Sequence, residues 1–572
     1  MKTLADILAR AAASPHAVNF IDARGNEERV PYVALAERAR AAAAMLRKRG
    51  VEPHERVGII LPTCVGFFDA FFGCIIVGAV PVPLYPPTRL GRLDEYHERT
   101  AQMLRAVDAK LVITDSRAGK VIGDTMLAAQ PVRGWLDVRD LTRDMVAAMR
   151  PTLAEDDVAF VQFSSGTTGA PKPIVLTHRQ ILSNVTAILG AIDEAYPLAA
   201  PERHSCVSWL PLYHDMGLIG CVLAALAYPG ELTLLGPETF ITEPVRWLRT
   251  ISEKRATISA APSFAYSLCL ERIDDAALVG VNLSSWRVAL NGAEPVAPAV
   301  MTRFGERFSR RGLRPETLTP VYGLAEATLA VTFSDLKSRW SMQRFDTQKL
   351  AGEGVATPAP DGTQLVSLGK PLPSVELRIA DDEGKAAADS TLGRIEIRGP
   401  SVTHGYLGEP PRAADAWLDT GDTGFIHGGE LFVYGRTKDI IVIRGRKYAP
   451  HDIEHAVSGV AGVRSGCVAA VGITGAEGEE LHLFVEHARG QTVDEAAVRD
   501  AVGSATGFTE LRIVVLEPGT LPRTSSGKIS RSEAARRFRA GTLTPPTPVS
   551  MFKLGITALR SKLAMVKTRS GA

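Results

Sequence analysis

Cysteine is scarce and solitary in this chain of 572 residues. Cys64, Cys74, Cys206, Cys221, Cys269 and Cys467 stand apart, with no CxxC pair. That spacing excludes a disulfide framework and a cysteine-based zinc site, and it fits reduced thiols in apolar surroundings. Neither sign of charge dominates: 65 basic residues face 63 acidic ones, for a net charge of +2. No global field therefore draws the chain to nucleic acid, although local patches stay open. Long hydrophobic runs are missing too. The segment from Ala70 to Val82 is too short to span a bilayer, and prolines at 81, 83, 86 and 87 break it up. The opening MKTLADILARAAASPHAV carries Asp6 and Arg10 where a signal peptide needs an unbroken apolar run, so it reads as an amphipathic helix. These absences point to the cytoplasm, with peripheral membrane contact at most. Internal repeats are absent, and so is the Walker pattern GxxxxGK[ST].

What remains is an ordinary globular composition, 45% apolar and 22% charged, in a chain too long for one hydrophobic core. Residues 32–50 have helical periodicity and stop at Gly50. RVGIILP is a short strand and Val65 to Gly78 a buried helix. LVITD, VSWLP, ELTLL, ATISAAP and WRVALNGAEP repeat the strand pattern with helical stretches between them. Strands alternating with helices predict an α/β architecture with largely parallel sheets. After Gly399 the texture changes. GELFVYGR and IIVIRGRKY read as a hairpin, HDIEHAVSGV and DEAAVRDAVGSA as helices, and CVAAVGI, LHLFVEH and LRIVVLE as strands. The last of these form a compact α+β unit, of a size that folds alone. The predicted division is 1–435, 436–540, and a tail at 541–572 that begins with the Pro/Thr-rich stretch GTLTPPTPVS.

Chemistry concentrates first in VQFSSGTTGAPKPIVLTH, residues 161–178. Ser164, Ser165, Thr167 and Thr168 set hydroxyls beside Gly166 and Gly169, whose bare backbone can curl around an anion, and Lys172 adds a compact charge. The loop is suited to holding phosphate; the plain alternative is a flexible surface loop. Five further stretches carry chemical groups. They are LPLYHDMG with His214 and Asp215, NGAEP at 291–295, VYGLAEAT with Tyr322, Gly323 and Glu326, DTGDTG with Asp422, and LPRTSSGKISR with Arg523 and Lys528. Taken singly, each could be a turn, a satisfied histidine or a solvated lysine.

Together and in this order, the set resembles the adenylate-forming superfamily of acyl-CoA synthetases, peptide-synthetase adenylation domains and luciferases. The resemblance runs from the first helix to about residue 540. VPVPLYPP, LPLYHDMGLIG and YGLAEAT look most like the fatty acyl-AMP ligase branch. So does the stretch of more than 30 residues from Val331 to Gln364, where that branch carries an insertion. The fold so implied is a large N-terminal domain of mainly parallel sheets with a β-barrel-like part, and a small mobile C-terminal domain. In that branch the insertion is thought to restrain the small domain; the alternative is a neutral surface loop.

The resemblance implies attack of a fatty acid carboxylate on the α-phosphorus of ATP, giving acyl-AMP and pyrophosphate. Ser164, Ser165, Gly166, Thr167, Thr168, Gly169 and Lys172 would hold the outer phosphates. Gly292, Ala293 and Glu294 would flank the adenine, with Tyr322 stacking on it beside Gly323. Glu326 would ligate Mg²⁺. Asp422 would accept the ribose hydroxyls, with Arg436 on the same sugar. Lys528 would reach the α-phosphate and the acyl carboxylate, with His214 as an aromatic gate beside it. Lys438 matches the hinge about which the small domain rotates. Ala325 stands where many relatives have a threonine, so its contact with the α-phosphate is absent or falls to Thr328.

A separate acyl carrier protein, met by its phosphopantetheine arm, is the acceptor so implied, with CoA the alternative. Carriers are acidic, so Arg531, Arg536, Arg537 and Arg539 would offer a complementary face. The tail sets Phe552, Ile556, Leu559, Leu563 and Val566 at helical spacing among Lys553, Arg560, Lys562, Lys567 and Arg569. Such a helix could lie on anionic lipid or dock on its own protein. Rival readings are an acyl-CoA ligase of the same fold and a catalytically silent binding homologue.

Overall fold

Short β-branched and aliphatic strands, most of them followed by a helix, assemble into one mainly parallel and one wholly parallel sheet. The computed structural model describes residues 1–87, 90–143, 153–164, 171–199, 202–475, 478–524, 527–546 and 551–568. Leu318–Gly323, Val288–Asn291, Ile258–Ala261, Cys206–Ser208, Leu232–Leu235 and Ala17–Ile21 run parallel in that spatial order. Antiparallel strands flank both ends and bring the sheet to nine. The second sheet is parallel throughout, in the order Val80–Leu84, Arg56–Ile60, Leu111–Thr114 and Trp135–Asp137. Central parallel strands are covered on both faces, which is why they read as unbroken apolar runs. The helix Val65–Val77 is apolar all round and almost wholly buried in the main core. Its one charge, Asp69, is held by Arg38 through bonds of 2.9 and 2.5 Å.

Beyond the parallel sheets lies a four-stranded antiparallel sheet, Glu376–Ala380, Gly393–Arg398, Leu418–His427 and Glu430–Arg436. Here the expected pairing of GELFVYGR with IIVIRGRKY is corrected. Glu430–Arg436 pairs instead with the preceding strand, and Ile441–Ile443 folds back on Arg446–Tyr448. Each hairpin turns on two residues of positive φ, Gly428 with Gly429 and Arg444 with Gly445, as tight two-residue hairpins require.

The α+β unit expected after residue 436 is built on Val463–Gly475, Gly478–His487 and Leu511–Leu516. It has its own apolar core, including Ile453, Val457, Leu481, Leu483, Val498 and Val502.

The stretch 331–364 is not a plain surface loop. Met342–Phe345 pairs antiparallel with Thr363–Val366, and the helix Thr347–Gly352 lies between them. Phe345 is fully buried against Phe425 and Phe432, with ring centroids at 5.0 and 5.4 Å. Ala351 belongs to the core of the small unit, and Arg446 donates to Gln348. The tail helix Met551–Thr568 packs on Gly123–Ala129.

Candidate active site

On either side of the Ser/Thr/Gly stretch, Val158–Phe163 and Pro173–Thr177 pair as antiparallel strands of a hairpin. Its base is closed by Ser164, whose amide donates to the Lys172 carbonyl at 3.0 Å, while the Lys172 amide donates to Ser164 Oγ at 3.2 Å. Ser165, Gly166, Thr167, Thr168 and Gly169 lie outside the described residues. The Lys172 ammonium sits 4.3 Å from the centre of the Tyr406 ring and 3.6 Å from Glu409.

Two strands deliver the next group. Asp422 and Arg436 face each other in register across the antiparallel ladder, and Arg436 Nε donates to Asp422 Oδ1 at 2.9 Å. The Tyr322 hydroxyl, from the end of a parallel strand, donates to Asp422 Oδ2 at 2.6 Å. Loss of water pushes the Asp422 carboxyl above its ordinary range, and Arg436 and Tyr322 offset part of that. Gly323 follows directly. A Cβ there would meet the Leu329 carbonyl at 2.0 Å, so the close strand contact admits glycine alone.

Lys528 lies opposite. Its ammonium donates to the Ala293 carbonyl, at a turn where Ala293 takes the strained φ of 68°. Loss of water pulls the Lys528 pKa below the ordinary lysine value, against the pull of Glu294, Asp215 and Asp422. Glu294 accepts from the Phe264 amide at 2.6 Å, and its own pKa is raised by desolvation. His214 Nδ1 donates to Asp215 Oδ1 at 2.6 Å, and the Met216 amide donates to the same oxygen at 2.7 Å.

Glu326 accepts from the Tyr406 hydroxyl at 3.0 Å, and desolvation raises its pKa. No ion pair holds it among the described residues, so a cation is the partner its chemistry lacks. No group of three or more His, Cys, Asp or Glu among the described residues could hold a metal by itself. An ion at Glu326 would need phosphate oxygens from a substrate, the setting Mg²⁺ prefers. Tyr406 thus joins the Lys172 and Glu326 ends of the site. Sequence reasoning missed it, because a tyrosine in a Gly-flanked loop carries no spacing signal.

Apart from Glu409, these groups border one continuous cleft of about 3080 Å³. An apolar limb of it is lined by Trp209, Ile241, Phe264 and Leu268. Trp209 is held flat on Phe240, with centroids 3.9 Å apart and planes at 11°. The arrangement suits an amphipathic acid, its carboxylate among cations and its hydrocarbon against aromatic walls.

Lys438 is exposed and borders the cleft between Arg436 and Asp439. Arg531, on the helix after Lys528, donates to Asp439 at 3.1 Å and to both oxygens of Glu454 at 2.6 and 2.7 Å. That corrects the expected arginine face. Arg531 is committed inward, Arg537 is bound to Glu533 and Glu95, Arg536 is exposed but paired with Glu533, and Arg539 is exposed. Thr328 is corrected as well. It is fully buried, absent from the cleft wall, and its hydroxyl is spent on the Ser401 carbonyl at 2.6 Å. Ala325, which has no side-chain donor, borders the cleft.

The profile of the AMP-binding enzyme family matches residues 7–407. A Caulobacter vibrioides protein with the provisional name acyl-CoA synthetase is 33% identical over 558 residues, spanning 94% of this chain and 96% of that one. Long-chain-fatty-acid–AMP ligase FadD26 of Mycobacterium marinum is 32% identical over 560 residues, spanning 91% of this chain and 93% of that one. A solved structure from a study of fatty acyl-adenylate ligases of E. coli and L. pneumophila superposes with a TM-score of 0.86 and 34% identity. It spans 95% of this chain and 98% of that one. The overall architecture is the adenylate-forming enzyme fold.

Proposed function

The chain belongs to the AMP-binding enzyme family, and on that footing we propose that it is a fatty acyl-AMP ligase serving a carrier protein. A fatty acid carboxylate oxygen attacks the α-phosphorus of ATP, the bond to the β-phosphate oxygen breaks, and pyrophosphate leaves. The thiol of a phosphopantetheine arm then attacks the acyl carbonyl, loses its proton, and AMP leaves. The nucleophile of each step belongs to a substrate, so the protein positions groups and compensates charge.

Lys528 gives up its bond to the Ala293 carbonyl and donates to the α-phosphate and the acyl carboxylate. Asp422, fixed by Tyr322 and Arg436, accepts the ribose hydroxyls. Gly292, Ala293 and Glu294 form the wall beside the base, and Tyr322 stacks on it. Ser164 and Lys172, with the loop between them, hold the outer phosphates. Mg²⁺, when bound, would be held by Glu326 and would neutralise phosphate charge. His214, steadied by Asp215, closes the site beside the carboxylate, and the hydrocarbon runs along Trp209 and Phe264. The working parts are 1–435, 436–540 as the unit that turns about Lys438, and the tail at 541–572.

The observation that most supports a carrier acceptor is Ala351, an insertion residue seated in the core of the small unit. Such a contact restrains the rotation that thioester formation on free CoA needs. The Caulobacter relative's name favours a second reading, an acyl-CoA ligase. A cytoplasmic location with peripheral contact at the inner membrane completes the proposal. Among the described residues no helix is long and apolar enough to cross a membrane.

The test incubates the purified protein with ATP, Mg²⁺ and labelled fatty acids of several lengths, adding CoA or a phosphopantetheinylated carrier in parallel. Acyl-AMP that persists with CoA and is discharged by the carrier is the expected result. Rapid acyl-CoA formation would establish the second reading, and the absence of both products would point to a silent homologue.

A further inference from the structure

The helix Met551–Thr568 has two faces with different work to do. Its inner face is firmly seated. Ser561, Ala564 and Met565 are buried, and Met565 joins the core beneath the four-stranded parallel sheet. Ser561 Oγ accepts from the Gly123 amide and donates to the Gly119 carbonyl, both at 2.8 Å, while Trp135 Nε1 donates to the Met565 carbonyl at 2.8 Å. A Cβ on Gly123 would meet the backbone of Ser561 at 2.4 Å. The helix is therefore docked on its own protein at a specific register.

The opposite face is the unusual one. Ile556, Leu559, Leu563 and Val566 follow each other at steps of three and four residues, with 45, 62, 59 and 69% of their surface exposed. Single exposed aliphatics are common on protein surfaces, but a continuous stripe on one helix is not. At 100° per residue, Arg560 and Lys567 fall along one border of this stripe and Lys562 along the other; all three are exposed. No acidic residue occurs from 551 to 568. The supporting turn adds exposed Arg117 and Lys120, and the supporting helix adds partly exposed Leu127. Asp124, at 3.5 Å from Arg560, is the one acidic ion-pair partner of this helix among the described residues.

We propose that this outer face docks the protein on anionic membrane surfaces, with the helix lying flat at headgroup depth. The proposal deepens the peripheral location given above and rests on it. Aliphatic side chains in the centre with long cationic stems on both flanks is the arrangement an anionic interface selects: the stripe enters the acyl boundary while lysine and arginine snorkel to the headgroups. The substrate class read from the cleft also partitions into bilayers, so docking would place the enzyme where its acid is found.

The test uses the full chain in flotation with vesicles of phosphatidylcholine alone or with one third phosphatidylglycerol. Binding should be confined to the anionic vesicles and should weaken with salt. Leu559→Glu with Leu563→Glu should reduce it at least about tenfold, and Lys562→Glu with Lys567→Glu should remove the lipid preference. Both variants change exposed side chains, so melting temperature and pyrophosphate exchange should stay at wild-type values. Equal binding to both vesicles, no binding, or a double variant that floats like wild type would overturn the proposal. A wild-type dimer that Leu559→Glu with Leu563→Glu splits would overturn it too, by making the stripe a contact between copies. Pyrophosphate exchange reports separately on the ligase reading, so the two can fail independently.

Discussion

The ammonium of Lys528 donates to the carbonyl of Ala293, across 235 residues of sequence. This contact draws the loop of the small unit into the cleft of the large one. Three other contacts brace the same interface: Ser465 donates to Glu271 at 2.8 Å, Arg537 pairs with Glu95, and Arg92 donates to the Thr520 carbonyl at 3.3 Å. The architecture therefore brings the Lys528 ammonium into the cleft.

Lys528→Ala should lower pyrophosphate exchange about 10²–10³-fold while leaving the melting temperature near wild type. Exchange at the wild-type level would sink the catalytic assignment.

The pH profile offers an independent check. Desolvation depresses the Lys528 pKa below the ordinary lysine value. The useful charged form is thus lost as pH rises through that lowered value. The alkaline limb of kcat/KM should fall below the ordinary lysine range, and it should disappear from the residual activity of Lys528→Ala.

Tyr322→Phe removes the 2.6 Å donor to Asp422 and leaves Arg436 to hold it. A bond to a charged group is worth about 1.5–3 kcal/mol. The KM for ATP should rise roughly ten- to a hundredfold, with a smaller effect on the fatty acid. Titration of the two substrates separately measures the contrast.

Ala351→Glu places a charge in the core of the small unit at its contact with the insertion. If that contact restrains rotation, the variant should form acyl-CoA from adenylate faster than wild type, with exchange nearly unchanged. Unaltered CoA traffic would remove the insertion from the explanation of acceptor choice.

His178 predicts the acid side of stability. Buried, with Nδ1 accepting from the Leu4 amide at 3.2 Å, it has its pKa pulled down to about 4 from 6.5 by loss of water. Between those values the unfolded chain takes up a proton that the folded one refuses. Stability should therefore fall as pH drops from about 6.5 to about 4, by roughly 3 kcal/mol from this group. Urea unfolding at several pH values should show that slope, and His178→Gln should flatten it.

Much of the fold was legible because parallel strands buried on both faces write themselves as short apolar runs. The pairing of IIVIRGRKY was not legible. Its two-residue turn at Arg444 and Gly445 lacks the Asn-Gly or Asp-Gly that marks such turns. Arg531 looked like a surface charge because periodicity says nothing about Asp439 and Glu454, which reach it from distant segments. Thr328 carried a hydroxyl at a plausible offset, but its orientation was set by Ser401, 73 residues on. The outward stripe of the tail helix was visible as spacing, while the choice of face that docks depended on the shape of Gly119 and Gly123.

If the small unit turns as proposed, the docking of that helix bears on its mechanics. On the division proposed above, the unit would leave the large one at 436–439 and return to it through a helix seated on the Gly123–Ala129 surface, tethered at both ends. The returning tether, residues 541–550, can span at most about 36 Å, and Arg92 already pins it at the Thr544 carbonyl. A domain held by one hinge swings like a door. One held at two points turns like a shaft between bearings, and its travel is set by the slack in the second mounting. Shortening residues 541–550 would then act as a mechanical stop, and lengthening them would release one.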